Sequence, residues 1–80
     1  MVRAYVLIDM MAGYARALVD SLCNKKGIVV VNRVTGPYDI IVIIEGEDMN
    51  SISEFVSNEI HTMSGVVRTT TCVTLGQASK

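Results

Sequence analysis

Residues 28–44, IVVVNRVTGPYDIIVII, contain two runs of β-branched residues on either side of a short turn. Val and Ile favour strands, whereas Gly36 followed by Pro37 is typical of a turn. Two strands joined by so short a connection are expected to pair as an antiparallel hairpin. The second run is apolar at consecutive positions from Ile40 to Ile44, which predicts a central strand covered on both faces.

On the N-terminal side of this hairpin, residues 4–8 predict a first strand and residues 14–22 predict a helix. The apolar positions of that helix recur at helical spacing: Ala15, Leu18, Val19 and Leu22. Residues 24–27 are expected to end it, with Gly27 available for left-handed backbone.

On the C-terminal side, residues 45–48 interrupt the apolar run and a second helix is expected to follow. Asp48 is a candidate N-cap, and Ser51 with Glu54 is an alternative capping box. The helix has one apolar face, formed by Ile52, Phe55, Val56 and Ile60. Residues 66–75 predict a fourth strand, and residues 76–80 a frayed tail.

The order strand, helix, strand, strand, helix, strand predicts one α+β domain over residues 1–80, with the ferredoxin-like βαββαβ fold. A faint repeat supports two similar halves, because Gly27 and Gly65 each follow a helix and open a strand. Right-handed crossovers then give a four-stranded antiparallel sheet with both helices on one face. Strands one and three are expected to be central, and strands two and four to be edges.

Apolar residues are unusually abundant, since 50% of the 80 residues are hydrophobic and 19% are charged. With both helices on one side, the other face of the sheet is left open. Strand three presents either Ile40, Val42 and Ile44 or Ile41 and Ile43 to that face, and both sets are apolar. Because such patches are rare on soluble monomers, we expect a sheet-to-sheet homodimer resembling a dimeric α/β barrel.

Charge and cysteine content exclude several function classes. The net charge is −1 and the chain has no basic stripe, so direct nucleic-acid binding is not expected. Strand three also carries Ile and Val where an RNA-recognition fold places aromatic residues. Cys23 and Cys72 are far apart and predict free thiols, with no metal site and no cofactor. No apolar run is long enough to span a membrane, and a cytoplasmic protein is expected.

No group of residues predicts catalysis, and we expect no enzyme activity. His61 is the only histidine and lies at the end of the predicted second helix without a carboxylate partner. The hairpin differs, because Asp39 begins an apolar strand and a buried carboxylate needs a donor. That donor is either local backbone or the ammonium group of a ligand or neighbouring subunit. Thr69, Thr70 and Thr71 offer further hydroxyl groups for a polar ligand.

Several of these segments occur together, in the same order and spacing, in a known family. The most specific segment is the hairpin at residues 34–40, VTGPYDI, and the others are residues 4–8, Asp48, Phe55, Ile60, residues 64–66 and residues 69–71. Together they resemble the effector-binding RAM domain of the Lrp/AsnC transcription regulators.

This resemblance implies a βαββαβ domain that dimerises through its sheets and assembles further, for example into octamers. Amino acids are then expected to bind between dimers near the hairpin. Carried over by position, Gly36, Tyr38 and Asp39 would form the hairpin part of the site, and Thr69 and Thr71 would contribute from strand four. Asp39 would pair with the ligand ammonium, and backbone N–H groups around Gly36 would meet its carboxylate.

The chain also departs from the family pattern. The usual Pro-Gly-Val before strand two is Lys26-Gly27-Ile28, and the later one is Ser64-Gly65-Val66. The sequence begins at strand one without a helix-turn-helix domain, so a stand-alone module is expected and DNA binding is not implied. The leading hypothesis is a metabolite-sensing module that also co-assembles with a full-length regulator. A purely structural oligomerisation protein and a small dimeric ferredoxin-like enzyme are the alternatives.

Overall fold

A computed structural model describes residues 1–75 of the chain. Its elements follow the predicted order: β1 (Val2–Met10), α1 (Ala15–Leu22), β2 (Ile28–Arg33), β3 (Ile40–Gly46), α2 (Met49–Phe55) and β4 (Val66–Val73), with a π-helical segment (Val56–Ile60) directly after α2. The sheet order is β2-β3-β1-β4, and every neighbouring pair is antiparallel. The ferredoxin-like fold with β1 and β3 at the centre is therefore confirmed. The predicted frayed tail, residues 76–80, lies outside the described residues.

The core lies between the sheet and the helices. Strand β1 buries every second residue from Ala4 to Met10, and β3 does the same from Ile40 to Ile44. The helical residues packed against them are Leu18, Leu22, Ile52, Val56 and Ile60. This pattern settles which alternating set faces the helices, because side chains on one strand point to opposite faces in turn.

The other set forms the open sheet face, defined here by Tyr5, Leu7, Val30, Ile41, Ile43, Thr70 and Cys72. The strand register places these residues side by side: Ile43 lies opposite Tyr5 and Val30, and Leu7 lies opposite Ile41 and Thr70. Its aliphatic members and Tyr5 remain half-buried in the single chain. The face predicted to be open is therefore both apolar and accessible.

An ion pair lies at each end of the open sheet face. Arg3 Nη2 is 2.6 Å from Glu45 Oε2, and the hydrogen bond to that carboxylate raises the pKa of Arg3. At the other end, Arg68 Nη2 is 3.6 Å from Asp9 Oδ2. These charged residues frame the apolar strip along β1.

Helix α2 begins as the sequence predicts, with Asp48 as its N-cap. The Asp48 carboxylate accepts a hydrogen bond of 2.8 Å from the backbone N–H of Ser51. This bond lowers the pKa of Asp48, because it stabilises the ionised form. Ser51 therefore lies inside the first turn, and the alternative capping box is not what starts the helix.

Two glycines hold the positions that open the predicted structural repeat. Gly27 and Gly65 have φ angles of +92° and +88°, in the left-handed region that Gly27 was expected to adopt. At Gly65 space is also limiting, because a Cβ there would lie 2.3 Å from the Cβ of Tyr14. Gly65 thus allows the start of α1 to pack against the start of β4.

The boundaries differ from the predictions by a few residues. Strand β1 extends beyond residues 4–8 in both directions, since Val2 pairs with Gly46 and Met10 with Val66. Strand β4 ends at Val73 rather than at residue 75. The π-helical segment was not predicted, because Val56 and Ile60 are spaced equally well for an α-helix.

Candidate functional site

The candidate site is built on the hairpin that joins β2 to β3. A backbone hydrogen bond of 2.9 Å from Val34 N–H to the Asp39 carbonyl closes the hairpin. Between them, Thr35, Gly36 and Pro37 are exposed, and Gly36 has a φ of +138°. The turn residues therefore place their backbone at the surface, at one corner of the sheet.

Asp39 is fixed to the neighbouring strand by two hydrogen bonds. Its backbone N–H donates to the Ile8 carbonyl at 2.9 Å, and its carboxylate Oδ2 accepts from the Met10 N–H at 2.7 Å. Strand β3 begins at Ile40, opposite Ile8, so Met10 has no β3 residue across from it. The carboxylate takes the place of the missing backbone acceptor.

The other oxygen of Asp39, Oδ1, has a different environment. Within residues 1–75 it accepts no hydrogen bond, and none of the buried side-chain oxygens there lacks a partner. Oδ1 is therefore in contact with solvent. The sequence left two donors open for this carboxylate: local backbone, or the ammonium group of a ligand or neighbouring subunit. The donor that the structure shows at Oδ2 is neither of these, because the Met10 N–H belongs to β1 and lies 29 positions away in the chain. Oδ1 is left available.

Tyr38 turns in another direction from Asp39. Its hydroxyl lies 3.5 Å from Thr70 Oγ1 of β4, on the open sheet face. Since β1 lies between β3 and β4, the ring crosses over β1 to reach Thr70. The hairpin thus contributes one residue to the sheet corner and one to the open sheet face.

Thr69 and Thr71 lie on the helix side of β4, opposite Ile8 and Val6. Thr69 Oγ1 is 2.6 Å from Nε2 of His61, which is exposed at the end of the π-helical segment as expected for a helix-end histidine. Within one chain, the structure does not bring Thr69 or Thr71 to Asp39. It brings Thr70 to Tyr38 instead.

Nothing in the sequence indicated the Met10 N–H as a donor at the hairpin, and Thr70 was indicated only as one of three threonine hydroxyls, without being identified as the one that meets Tyr38. Strand alternation provided a signal for Thr70, since Thr70 shares a face with the apolar set of β1 and Thr69 does not. No sequence pattern pointed to the Met10 N–H, because this group is free only where β1 continues past Ile40, the first residue of β3.

An open cavity lies at the opposite end of the sheet from the hairpin. It is an open groove of about 580 Å³ between α2 and the ends of β2 and β3, with Ile28, Val29 and Phe55 among its lining residues. Among residues 1–75 no polar or charged residue is buried, and no three potential metal ligands cluster. Cys23 and Cys72 are free thiols, as predicted. None of the helices in this part of the chain is long and apolar enough to cross a membrane.

A ferredoxin-like sheet with one open apolar face and a polar hairpin at its corner defines a class of small α+β modules that bind ligands or associate through the sheet. The model of the family described as the Lrp/AsnC ligand binding domain matches residues 3–80. The chain therefore belongs to the Lrp/AsnC family, as the hairpin segment indicated.

Individual relatives agree with this assignment. The HTH-type transcriptional regulator LysM of Saccharolobus solfataricus is 41% identical over 54 residues, which cover 68% of this chain and 37% of LysM. The crystal structure of TTHA0845 from Thermus thermophilus matches with a TM-score of 0.93 at 28% identity, over all of both chains.

The regulator NMB0573 of Neisseria meningitidis, solved as an L-Met complex, has the same fold, with a TM-score of 0.89 at 17% identity. The match covers 99% of this chain and 53% of NMB0573. The chain thus spans about a third of LysM and half of NMB0573. The family model that covers residues 3–80 describes a ligand-binding domain, and the chain is accordingly a regulatory effector-binding module.

Proposed function

We propose that the chain binds an amino acid, or a related metabolite, at the corner formed by the hairpin and the end of β1. The observation that carries this proposal is the Asp39 carboxylate, which is held by the Met10 N–H through Oδ2 and keeps Oδ1 open to solvent. A positioned carboxylate with one free oxygen suits an ammonium group, since charge-assisted hydrogen bonds are the stronger ones. The function is binding, without a catalysed reaction.

The rest of the ligand backbone would lie along the hairpin. Exposed backbone around Gly36 is suited to the ligand carboxylate, and Tyr38 borders the same turn. Thr69 and Thr71 lie away from Asp39 in the same chain. We therefore assign them to a site completed by a second copy, to which they would bring hydroxyl groups.

Family membership supports an amino acid as the ligand class. NMB0573, which shares the fold, was crystallised with L-Met, so this amino acid belongs in any panel of test compounds. A module of this kind acts by associating with other subunits, and the partner we propose is a full-length Lrp/AsnC regulator. Mixing the two and measuring the DNA affinity of the regulator with and without ligand tests that role.

The open sheet face supports self-association as part of the function. Its half-buried apolar residues lie side by side on the two central strands. Burying each such side chain fully contributes ~1.5–3 kcal/mol, which favours a face-to-face dimer and further assembly of dimers. If association proved to be the whole function, the protein would form its oligomer without binding any metabolite.

Isothermal titration calorimetry of the purified chain with the standard amino acids tests the ligand proposal. Asp39→Asn retains an oxygen that accepts from the Met10 N–H but removes the negative charge. We expect this variant to unfold slightly below the wild-type temperature, because a neutral acceptor still meets the Met10 N–H, and to bind the ligand roughly 10- to 100-fold more weakly, as for a lost charge-assisted bond.

Asp39→Ala is the comparison variant, because it removes the charge and the acceptor together. It is expected to lose both ligand affinity and stability. Unchanged affinity in Asp39→Asn would contradict the assignment of Asp39 to the ammonium group. Absence of binding by every amino acid tested would contradict the ligand class itself.

A further inference from the structure

The groove between α2 and the ends of β2 and β3 is lined by apolar side chains that the single chain covers only in part. Ile28 and Phe55 are half-buried in its lining, whereas Val29 is 44% exposed and Met1 is 89% exposed. Exposed apolar side chains that group around one concave surface mark a contact site, since scattered ones need no explanation. The groove is therefore a candidate interaction surface.

A bulge in β2 brings two successive side chains to this groove. Ile28 pairs with Ile44 and Val30 pairs with Ile43, so Val29 is the extra residue on β2. In a regular strand Ile28 and Val29 would point to opposite faces of the sheet, but both of them line the groove. The irregularity of the strand thus enlarges the apolar surface at this end of the sheet.

Three charged side chains line the groove, and two of them have no ion-pair partner within residues 1–75. Glu45 is bound to Arg3 at 2.6 Å. Lys26 precedes β2 and Glu47 follows β3, and these two exposed residues form no ion pair with each other or with another residue in this part of the chain. Glu54 is a further unpaired carboxylate, in an adjoining groove that Lys26 also lines. The surface therefore carries unpaired charges of both signs.

A surface of this kind is complementary to itself. When a two-fold axis relates two copies, a residue of one copy meets a different residue of the other, and the same contact occurs twice. We infer that a second copy of the chain docks on this groove, so that Lys26 of each copy pairs with Glu47 of the other. Val29 and Phe55 are then covered by the second copy. This contact is separate from the open sheet face and lies at the opposite end of the sheet from the hairpin.

The groove contact joins dimers rather than single chains, because it involves only one end of the sheet. The inference thus rests on the face-to-face dimer of the proposed function. Two such dimers can meet at two grooves at once, and the second contact then forms at a high effective concentration. A single groove contact between two monomers lacks this advantage and has to offset the full cost of association.

Charge reversal followed by sedimentation velocity tests the inference. Lys26→Glu places carboxylates against each other across the groove contact, and Glu47→Lys does the same with ammonium groups. Because like charges in an interface oppose association, each variant alone is expected to sediment as a dimer, whereas the wild-type chain forms a larger assembly. An equimolar mixture of the two variants restores both ion pairs between unlike copies, and it is expected to regain the wild-type sedimentation coefficient.

Arg16→Glu and Asp20→Lys are the matched controls, because they make the same changes of charge at exposed positions of α1 that do not line the groove. Both controls are expected to keep the wild-type assembly. A mixture of Lys26→Glu and Glu47→Lys that stays dimeric, controls that dissociate in the same way, or a wild-type chain that is only a dimer would overturn the inference and leave the face-to-face dimer standing. A monomeric wild-type chain would contradict both.

Discussion

At the scale of single residues, two of the aspartates, Asp48 and Asp39, show which contacts can be predicted from the sequence. Asp48 could be predicted as an N-cap because its acceptor role depends only on the next three residues. The partner of Asp39 could not, because Met10 is 29 positions away and its N–H is free only where β1 passes the end of β3. Local contacts follow from spacing, whereas this contact depends on strand length.

Asp48 gives a prediction for the pH dependence of stability. Its pKa is lowered in the folded state by the Ser51 N–H, so its contribution is present above the unfolded-state pKa. The contribution is lost as the pH falls through the lower, folded-state pKa. Asp48→Asn keeps a good N-cap residue but has no carboxyl group to titrate. As the pH is lowered from about pH 5 through the folded-state pKa of Asp48, the urea midpoint of this variant should therefore fall less steeply than that of wild type. Parallel curves for the two proteins would show that the cap charge does not contribute.

At the scale of elements, alternation and glycine placement made most of the fold predictable. Consecutive apolar residues marked β3 as central, and the paired positions of Gly27 and Gly65 marked the two halves. The sequence could not show which alternating set faced the helices, because both sets of β3 are apolar. It also could not show that the Tyr38 side chain would cross β1 to Thr70. Residues 38 and 39 precede β3, so the alternation of side chains along that strand does not predict where they point.

Gly13 and Gly65 provide a matched test of the packing between α1 and β4. Both have a φ of +88°, but a Cβ on Gly13 would meet nothing within 4 Å. Gly13→Ala should therefore cost only the left-handed backbone term of roughly 1–2 kcal/mol. Gly65→Ala should cost an additional ~1–3 kcal/mol for displacing Tyr14. Chemical denaturation measures both, and equal losses would mean that the Tyr14 contact relaxes freely.

At the scale of the whole molecule, the structure accounts for the large number of apolar residues, because it divides them between the core and one face of the sheet. One alternating set of β1 and β3 fills the core, and the other lies on the open sheet face. Composition predicted that such a surplus exists, and topology predicted the face on which it lies. Neither predicts how two copies would be oriented, because a flat strip of Ile, Leu and Val residues fits itself in more than one way.

Ile43 lies at the centre of the open sheet face, between Tyr5 and Val30. Ile43→Lys should convert the associated protein to a monomer in sedimentation velocity while leaving its far-ultraviolet circular dichroism unchanged, because the substituted position is only half-buried in the single chain. Val29→Lys is the control, since Val29 is exposed at the β2 bulge and outside this face. Monomers in both variants, or in neither, would place the association surface elsewhere.

The two cysteines report on the same face without any substitution. Cys72 is exposed on the open sheet face, opposite Tyr5, whereas Cys23 is exposed at the end of α1 on the other layer. If two copies pack face to face, alkylation of Cys72 should slow as the protein concentration rises, in proportion to the fraction of free monomer. The alkylation rate of Cys23 should be the same at every protein concentration, so it serves as an internal control for changes in reagent concentration. Association that leaves both thiols equally reactive would require contact through the helices or the sheet edges, and the apolar strip along β1 would then need another partner.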